Sequence, residues 1–147
     1  MNRKDIITKI IEEQNKVIES LTISVERYKT ASDLDEESTH DPEDFSQQTQ
    51  AKDMQLRYEK TRREALQQLN FLQSEIEEEH DQIEAGTLVE TDHGYLFVGI
   101  SVPAFKVGNK EVITFSEEAP VFGNIKGKKV GDTVKIGENS MKIISFK

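Results

Sequence analysis

The sequence predicts an α+β fold in which an N-terminal antiparallel α-helical coiled-coil hairpin, residues 1–85, precedes a small antiparallel β domain, residues 86–147. Three observations lead to this prediction. Apolar residues recur at intervals of four and three through two long stretches of the first part. All eight glycines lie from Gly86 onward, and short β-branched and aromatic runs alternate with them there. We therefore expect a domain boundary near Ala85.

The first predicted helix covers Asp5 to Lys29. Its apolar stripe repeats every four and three residues, with Gln14 as the single polar member, and consists of Ile7, Ile11, Ile18, Leu21, Val25 and Tyr28. At ~1.5 Å rise per residue, a helix of this extent is about 40 Å long.

The second predicted helix begins at Asp41-Pro42, where a capping aspartate precedes a proline and two acidic residues. From Glu43 to Ala85 the chain lacks glycine and proline, and its apolar stripe consists of Tyr58, Ala65, Leu69, Leu72, Ile76 and Ile83. Because each stripe is narrow, neither helix buries its seam alone, and antiparallel pairing of the two is the simplest solution. A plain helical bundle or a dimerising coiled coil satisfies the same periodicity.

Short runs typical of strands follow the predicted boundary, and turn sequences such as Asp92-His93-Gly94 separate them. A short helix is possible from Ala119 to Ile125, because Pro120 suits a first helical turn. The predicted strands are Thr87–Thr91, Gly94–Ser101, Glu111–Phe115, Thr133–Ile136 and Met141–Phe146.

Charge and composition restrict the class of protein. The net charge is −9, and residues 1–85 carry −10 of it whereas residues 86–147 carry +1. An acidic N-terminal part is repelled by phosphate backbones, so we expect no direct nucleic-acid binding. The absence of cysteine excludes disulfides and thiolate metal sites. No membrane-length apolar run or signal-like start is present, which predicts a cytoplasmic protein without membrane contact.

The predicted connection between the helices, the acidic tip of residues 32–44, concentrates negative charge. Seven carboxylates lie in a stretch without lysine or arginine between Thr30 and Ala51: Asp33, Asp35, Glu36, Glu37, Asp41, Glu43 and Asp44. Carboxylates gathered at the end of a stiff arm repel one another unless a cation is supplied, and magnesium prefers oxygen ligands. A solvated loop accounts for the same composition.

Two stretches resemble the Gre family of bacterial transcript-cleavage factors. The tip sequence Ser32-Asp33-Leu34-Asp35-Glu36-Glu37 is similar to the family's Gly-Asp-Leu-x-Glu-Asn, which aligns Asp33 and Glu36 with its two functional acids. Ser116 to Val121, with the later Gly127-Lys128 and Gly131-Asp132-Thr133-Val134, resembles the family's Ser-x-x-Ser-Pro-Ile, Gly-Lys and Gly-Asp-x-Val pattern.

The resemblance implies an FKBP-like β domain that docks on RNA polymerase through Pro120 and Val121, and a hairpin that enters the secondary channel. The chain is then no enzyme itself. Asp33 and Glu36, with Asp35 and Glu37 beside them, help hold a magnesium ion shared with the polymerase and stimulate cleavage of backtracked RNA. No cofactor is expected on the chain alone, and a monomer is expected.

Several alternatives stay open. Ser32 and Glu37 stand where the family has glycine and asparagine, and Asp35 adds a carboxylate, so the chain also resembles inhibitory relatives that occupy the same channel. A coiled-coil scaffold protein with no polymerase role would need only the helices. Pro120 has a second interpretation as a simple helix start.

Overall fold

The structure is a computed structural model that describes residues 2–33 and 42–147, with side chains described for 2–33 and 46–147. Two long helices, α1 (Arg3–Asp33) and α2 (Pro42–Glu75), come first and pack against each other. Six strands and a short helix follow, so the α+β prediction is confirmed at that level. In chain order they are β1 (Leu88–Thr91), β2 (Gly94–Val98), β3 (Phe105–Val107), β4 (Lys110–Phe115), α3 (Pro120–Ile125), β5 (Thr133–Ile136) and β6 (Asn139–Phe146).

The described residues form two compact units. The first combines Met1–Glu13 with Phe71–Lys147, and the second is Gln14–Asn70. The sequence-based division placed 1–85 in one domain and 86–147 in another. In the structure, the first turns of α1 and the last turn of α2 pack with the sheet. Their side chains Ile6, Ile7, Ile10 and Leu72 are part of the sheet's hydrophobic core.

Within the second unit the helices run antiparallel. Gln14 on α1 donates its Nε2 hydrogen to the carbonyl oxygen of Ala65 on α2, 2.9 Å away. Further along α1, Tyr28 stacks on Tyr58, which is earlier in α2, with ring centroids 5.6 Å apart. Partners therefore move backward along α2 as α1 advances, which confirms the predicted antiparallel pairing of the two stripes.

A capping bond from Asn2 fixes the start of helix α1. The Asn2 side-chain oxygen accepts a hydrogen bond from the backbone N–H of Asp5 at 2.9 Å, which satisfies one of the free donors of the first turn. The helix therefore begins at Arg3, earlier than the predicted start at Asp5. The carboxylate of Asp5 returns toward the Asn2 amide at 3.4 Å, an arrangement similar to a capping box.

Helix α2 ends at Glu75, ten residues before the predicted end at Ala85. Glutamates occupy positions 77–79, where negative charge opposes the helix dipole, and the Arg3 guanidinium binds the carbonyl oxygen of Glu75 instead. Ile83, placed on the helix stripe from the sequence, lies in the following segment and is buried against the sheet. That prediction was wrong, because a tertiary contact ends the helix.

The sheet is mixed, with strand order β3-β4-β2-β1-β6-β5. The predicted all-antiparallel arrangement was wrong at one place, since β2 and β4 pair in parallel, from Gly94 opposite Glu111 to Val98 opposite Phe115. Parallel neighbours need a crossover of about a dozen residues, and the 99–109 segment supplies it. That segment contains β3, a strand that the sequence pattern did not indicate.

Both faces of the sheet are buried at its centre, which explains why β2 lacks alternating polar residues. The ends of α1 and α2 cover one face, where the core comprises Ile6, Ile7, Ile10, Leu72, Leu88, Tyr95, Phe97, Ile100, Val102 and Val112. Helix α3 and Ile83 cover the other face, where the core comprises Val89, Leu96, Val98, Phe115, Phe122, Ile125, Val134, Met141 and Ile143. In the described ranges, no helix combines the length and apolar character that a membrane crossing requires.

Candidate functional site

The acidic tip is only partly within the described residues. Asp33 is the last residue of α1 and its side chain is exposed, while Asp35, Glu36 and Glu37 lie outside the described residues. Asp33 therefore stands at the end of the helix pair, free to meet solvent or a ligand. The predicted roles of all four acids stay predictions.

Side-chain contacts tie the helices together next to Asp33. Ser32 Oγ lies 2.9 Å from the carbonyl oxygen of Lys29 and 3.2 Å from Oε1 of Gln55, a buried residue on α2. Gln55 Nε2 in turn donates to Glu59 at 3.0 Å. A buried polar residue in a helical seam favours one register over its neighbours, so these contacts position the backbone that carries Asp33.

The other predicted contact residues lie on α3, in the first unit. Pro120 is the first residue of this helix and is exposed, and Val121 is half-buried against the core that α3 covers. Ala119 precedes the helix without a side-chain capping bond. Proline is suited to this position because its missing N–H would have no partner there anyway. The use of these two residues in docking stays a prediction.

A chain of ionisable side chains that the sequence did not indicate lies at the end of α2, with Arg3, Glu75 and His80 largely buried and Glu84 more exposed. The Arg3 guanidinium donates to Glu75 Oε2 at 3.0 Å, and their side chains are 7% and 11% exposed. His80 Nε2 lies 2.7 Å from the same Glu75 oxygen, and its Nδ1 lies 2.8 Å from Glu84 Oε1. Both ring nitrogens face carboxylates, an arrangement that favours the protonated imidazole, in which both nitrogens are donors.

The electrostatics of this cluster follow from its burial. For His80, burial disfavours the charged ring, but the hydrogen bonds to Glu75 and Glu84 outweigh burial and the repulsion of Arg3, so its pKa is raised. The hydrogen bond from His80 lowers the pKa of Glu84. Burial lowers the pKa of Arg3, with Glu75 opposing that effect, and arginine stays charged at neutral pH.

We expect His80 to make the first unit less stable as the pH rises through its folded-state pKa. A raised histidine pKa gives stability that is complete below the unfolded value, ~6.5, and is lost above the folded value. Glu84 has the opposite pH dependence, because its contribution to stability is lost as the pH falls through its own lowered pKa. The urea concentration at the unfolding midpoint should be lower at about pH 8 than at about pH 6 in the unmodified chain. In His80→Gln it should be the same at both pH values. Equal slopes for the two proteins would contradict the assignment.

The remaining histidine of the first unit is unrelated to this cluster. His93 lies in the turn between β1 and β2, where its Nδ1 is 2.8 Å from the Asp92 carboxylate and half of its side chain is exposed. Within residues 2–33 and 46–147, no group of three or more histidine, aspartate or glutamate side chains is arranged to hold a metal ion.

A small cavity lies beside β1 and β6 in the first unit. Its volume is about 170 Å³, and Glu90, which accepts a hydrogen bond from Lys110 at 3.0 Å, lies at its wall. Most aromatic rings of this unit are in the hydrophobic core instead, including Tyr95, Phe97 and Phe115 on the strands and Phe122 on α3. These four rings therefore contribute to the core of this unit. Comparison with known proteins adds no identity, since no protein-family model matches the chain and no curated protein does.

Proposed function

We propose that this chain is a Gre-like transcription elongation factor of the cytoplasm, with the sheet and α3 as an FKBP-like docking domain. It binds RNA polymerase in the secondary channel and uses the acidic tip to influence the active-site magnesium, stimulating cleavage of backtracked RNA. The proposal depends most on one observation: Asp33 is exposed at the end of a self-paired helical hairpin, in the stretch 31–50 that contains no lysine or arginine.

The second unit has the form that such an activity needs. Its seam is closed within the chain, because Val25 and Ala65 are buried and Gln14 bonds across it. A pair of helices that buries its own seam is narrow and needs no second copy. The residues from Gln14 to Asp33 give about 28 Å of helix at ~1.5 Å per residue, a length that suits an arm entering a narrow channel.

The chemistry assigned to this chain is limited to presenting carboxylates. In hydrolysis that uses two metal ions, the more weakly held ion needs an additional oxygen ligand. Asp33 supplies that ligand and Glu36 assists it, whereas the reacting groups belong to the polymerase. Rigid support from Ser32 and Gln55 favours this role, because a loosely held ligand loses most of its effect.

The remaining alternative is that the chain inhibits RNA cleavage instead of stimulating it. Asp35 and Glu37 add carboxylates where the family has none, and extra ligands can hold the ion away from its productive position. The same channel binding would then slow cleavage. Stimulation is the function that we propose, and inhibition is the second outcome of the test.

The test uses stalled, backtracked elongation complexes of a bacterial polymerase. With the unmodified chain we expect faster RNA cleavage, and with Asp33→Asn or Glu36→Gln we expect about 10- to 100-fold less stimulation, the usual cost of weakening a metal ligand set. Asp53→Asn is the matched control, because it removes the same charge from an exposed position on α2 outside the tip. Absence of polymerase binding would overturn the proposal, and slower cleavage would convert it to inhibition.

The scaffold alternative predicts a different oligomeric state. A self-paired hairpin gives a monomer in light scattering, whereas a scaffold would give a stable dimer that Leu69→Asp, a substitution in the seam of α2, dissociates.

A further inference from the structure

Lysines are concentrated at the β5–β6 end of the sheet. Residues 126–147 contain six lysines and two acidic residues, a net charge of +4 in a chain whose net charge is −9. All five arginines of the chain precede this region. Six of the eight lysines of residues 86–147 therefore lie in this segment, whose net charge differs in sign from that of the protein as a whole.

Strand register brings part of this charge together. Lys142 on β6 is opposite Thr133 on β5, and Lys135 is opposite Ser140. Cross-strand partners and every second residue share a face, so Lys135 and Lys142 lie on the same side of the sheet. Val134, Met141 and Ile143 lie on the other side, in the core that α3 covers.

The loop before β5 joins the same surface. The backbone N–H of Gly131 donates to the Ile143 carbonyl oxygen at 2.9 Å, and the Ile143 N–H donates to the Asp132 carbonyl oxygen at 2.9 Å. These bonds lay Gly131 and Asp132 beside Ile143, and Lys128, Lys129 and Val130 immediately precede them in the chain. We call the resulting patch the lysine surface; it comprises Lys128, Lys129, Val130, Lys135, Lys142 and Ile144.

The lysine surface is both charged and apolar. Val130 is 60% exposed and Ile144 is 48% exposed, among the highest values for large apolar side chains in the described ranges. None of the surface's four lysines takes part in the ion pairs of the described residues.

Two of the neighbouring acidic side chains accept backbone hydrogen bonds. The Asp132 carboxylate accepts the backbone N–H of Lys129 at 2.8 Å, and the Asp92 carboxylate accepts that of Lys142 at 2.9 Å. Asp92 is further engaged by His93, and hydrogen bonding holds its pKa below the usual range. Glu138, in the turn between β5 and β6, is the other acidic residue nearby. The lysine ammonium groups are thus left available to an external anion.

We propose that the lysine surface docks on an acidic, partly apolar protein surface, which in the setting of the proposed function is a patch of RNA polymerase. The inference rests on that function. Lysines steer an oppositely charged partner at long range, while Val130 and Ile144 supply contact area that a phosphate backbone would not use. A net charge of −9 also opposes approach to DNA or RNA.

The proposed docking surface differs from the residues suggested by the family resemblance. Pro120 and Val121 lie on α3, which packs on the opposite face of the sheet from Lys135 and Lys142. Substitutions at the two places therefore separate the two docking modes.

The experiment measures binding of the full chain to bacterial core RNA polymerase at low and high salt. We expect the triple variant Lys128→Glu, Lys129→Glu, Lys142→Glu to lose about 10- to 100-fold in affinity at low salt, because steering effects are of this size. Lys106→Glu is the control for charge reversal outside the lysine surface, since it reverses one exposed lysine charge on β3, the opposite edge strand. It should bind as the unmodified chain does.

Each outcome decides the inference. If the unmodified chain binds and the triple variant binds equally well, the lysine surface is not the docking face, although the proposed function stands. If Val121→Glu loses binding while the triple variant keeps it, docking takes place on α3 and the inference is overturned. Failure of the unmodified chain to bind removes both proposals. Binding of a single-stranded RNA or a DNA duplex that the triple variant loses would show a nucleic-acid surface instead.

Discussion

Replacing Arg3 with methionine is expected to lower the free energy of unfolding by about 3–5 kcal/mol, the usual cost of removing one partner of a buried ion pair. Arg3 donates five hydrogen bonds, to Glu75 Oε2 and to the carbonyl oxygens of Glu75, Glu78, Gly86 and Lys147, at 2.6–3.0 Å. Methionine fills a similar volume without replacing any donor.

The expected loss of stability is large because the acceptors that Arg3 leaves behind are buried. Without Arg3, Glu75 keeps only His80 as a charged partner, and the carbonyl oxygens at the end of α2 lose their donor.

Lys4→Met is the matched control for this prediction. Lys4 pairs with Glu77 at 3.3 Å, but the two side chains are 65% and 80% exposed, so its removal should cost less than about 1 kcal/mol. Urea unfolding of both variants, followed by circular dichroism, gives the comparison. If the two substitutions had equal effects, the network around Arg3 would not stabilise the fold as we infer.

Replacing Gly86 with alanine is expected to cost about 3 kcal/mol in the free energy of unfolding. Its φ of +97° is a conformation that costs roughly 1–2 kcal/mol for a residue with a Cβ atom. In addition, the new Cβ would lie 2.5 Å from the Glu75 carboxylate. A flexible side chain usually moves away from such a contact, but Arg3 and His80 hold this carboxylate in place.

Gly108→Ala separates the two causes. Gly108 also has a positive φ, +63°, in the turn between β3 and β4, but no atom lies within 4 Å of the position that the alanine methyl group would occupy. We expect a cost of about 1 kcal/mol there. Thermal unfolding of both variants gives their losses of stability, and the difference between these losses measures the contact with Glu75. Equal losses would show that this carboxylate moves away freely.

Local patterns predicted the helices well because the information lies within a few residues. The stripe of α1 matches the buried positions Ile7, Gln14 and Val25, and Pro42 is the first residue of α2 as expected. Four of the five predicted strands start within one residue of the observed ones, and β6 starts two residues earlier than predicted. Hydrophobic period and cap chemistry act locally, so a single sequence contains them.

The errors share one cause, which is contact between distant residues. The end of α2 depends on Arg3, 72 positions earlier in the chain, and periodicity alone extended the helix to Ala85. The parallel pairing of β2 with β4 depends on a crossover, and β3 is too short to show a pattern. For the candidate site, the sequence indicated the acids of the tip, whereas the spacing of Glu75, His80 and Glu84 had no recognisable motif.

By itself the sequence determined that this protein has two long helices with complementary apolar stripes, an acidic segment between them and a glycine-rich β part, because these depend on local propensity and charge. Only the tertiary structure decided which residues share the core, where α2 stops and that His80 lies between two carboxylates. The shared core depends on apolar side chains that folding brings together from distant positions. The end of α2 and the surroundings of His80 depend on buried charged groups, whose energy is set by partners that are equally distant in the chain.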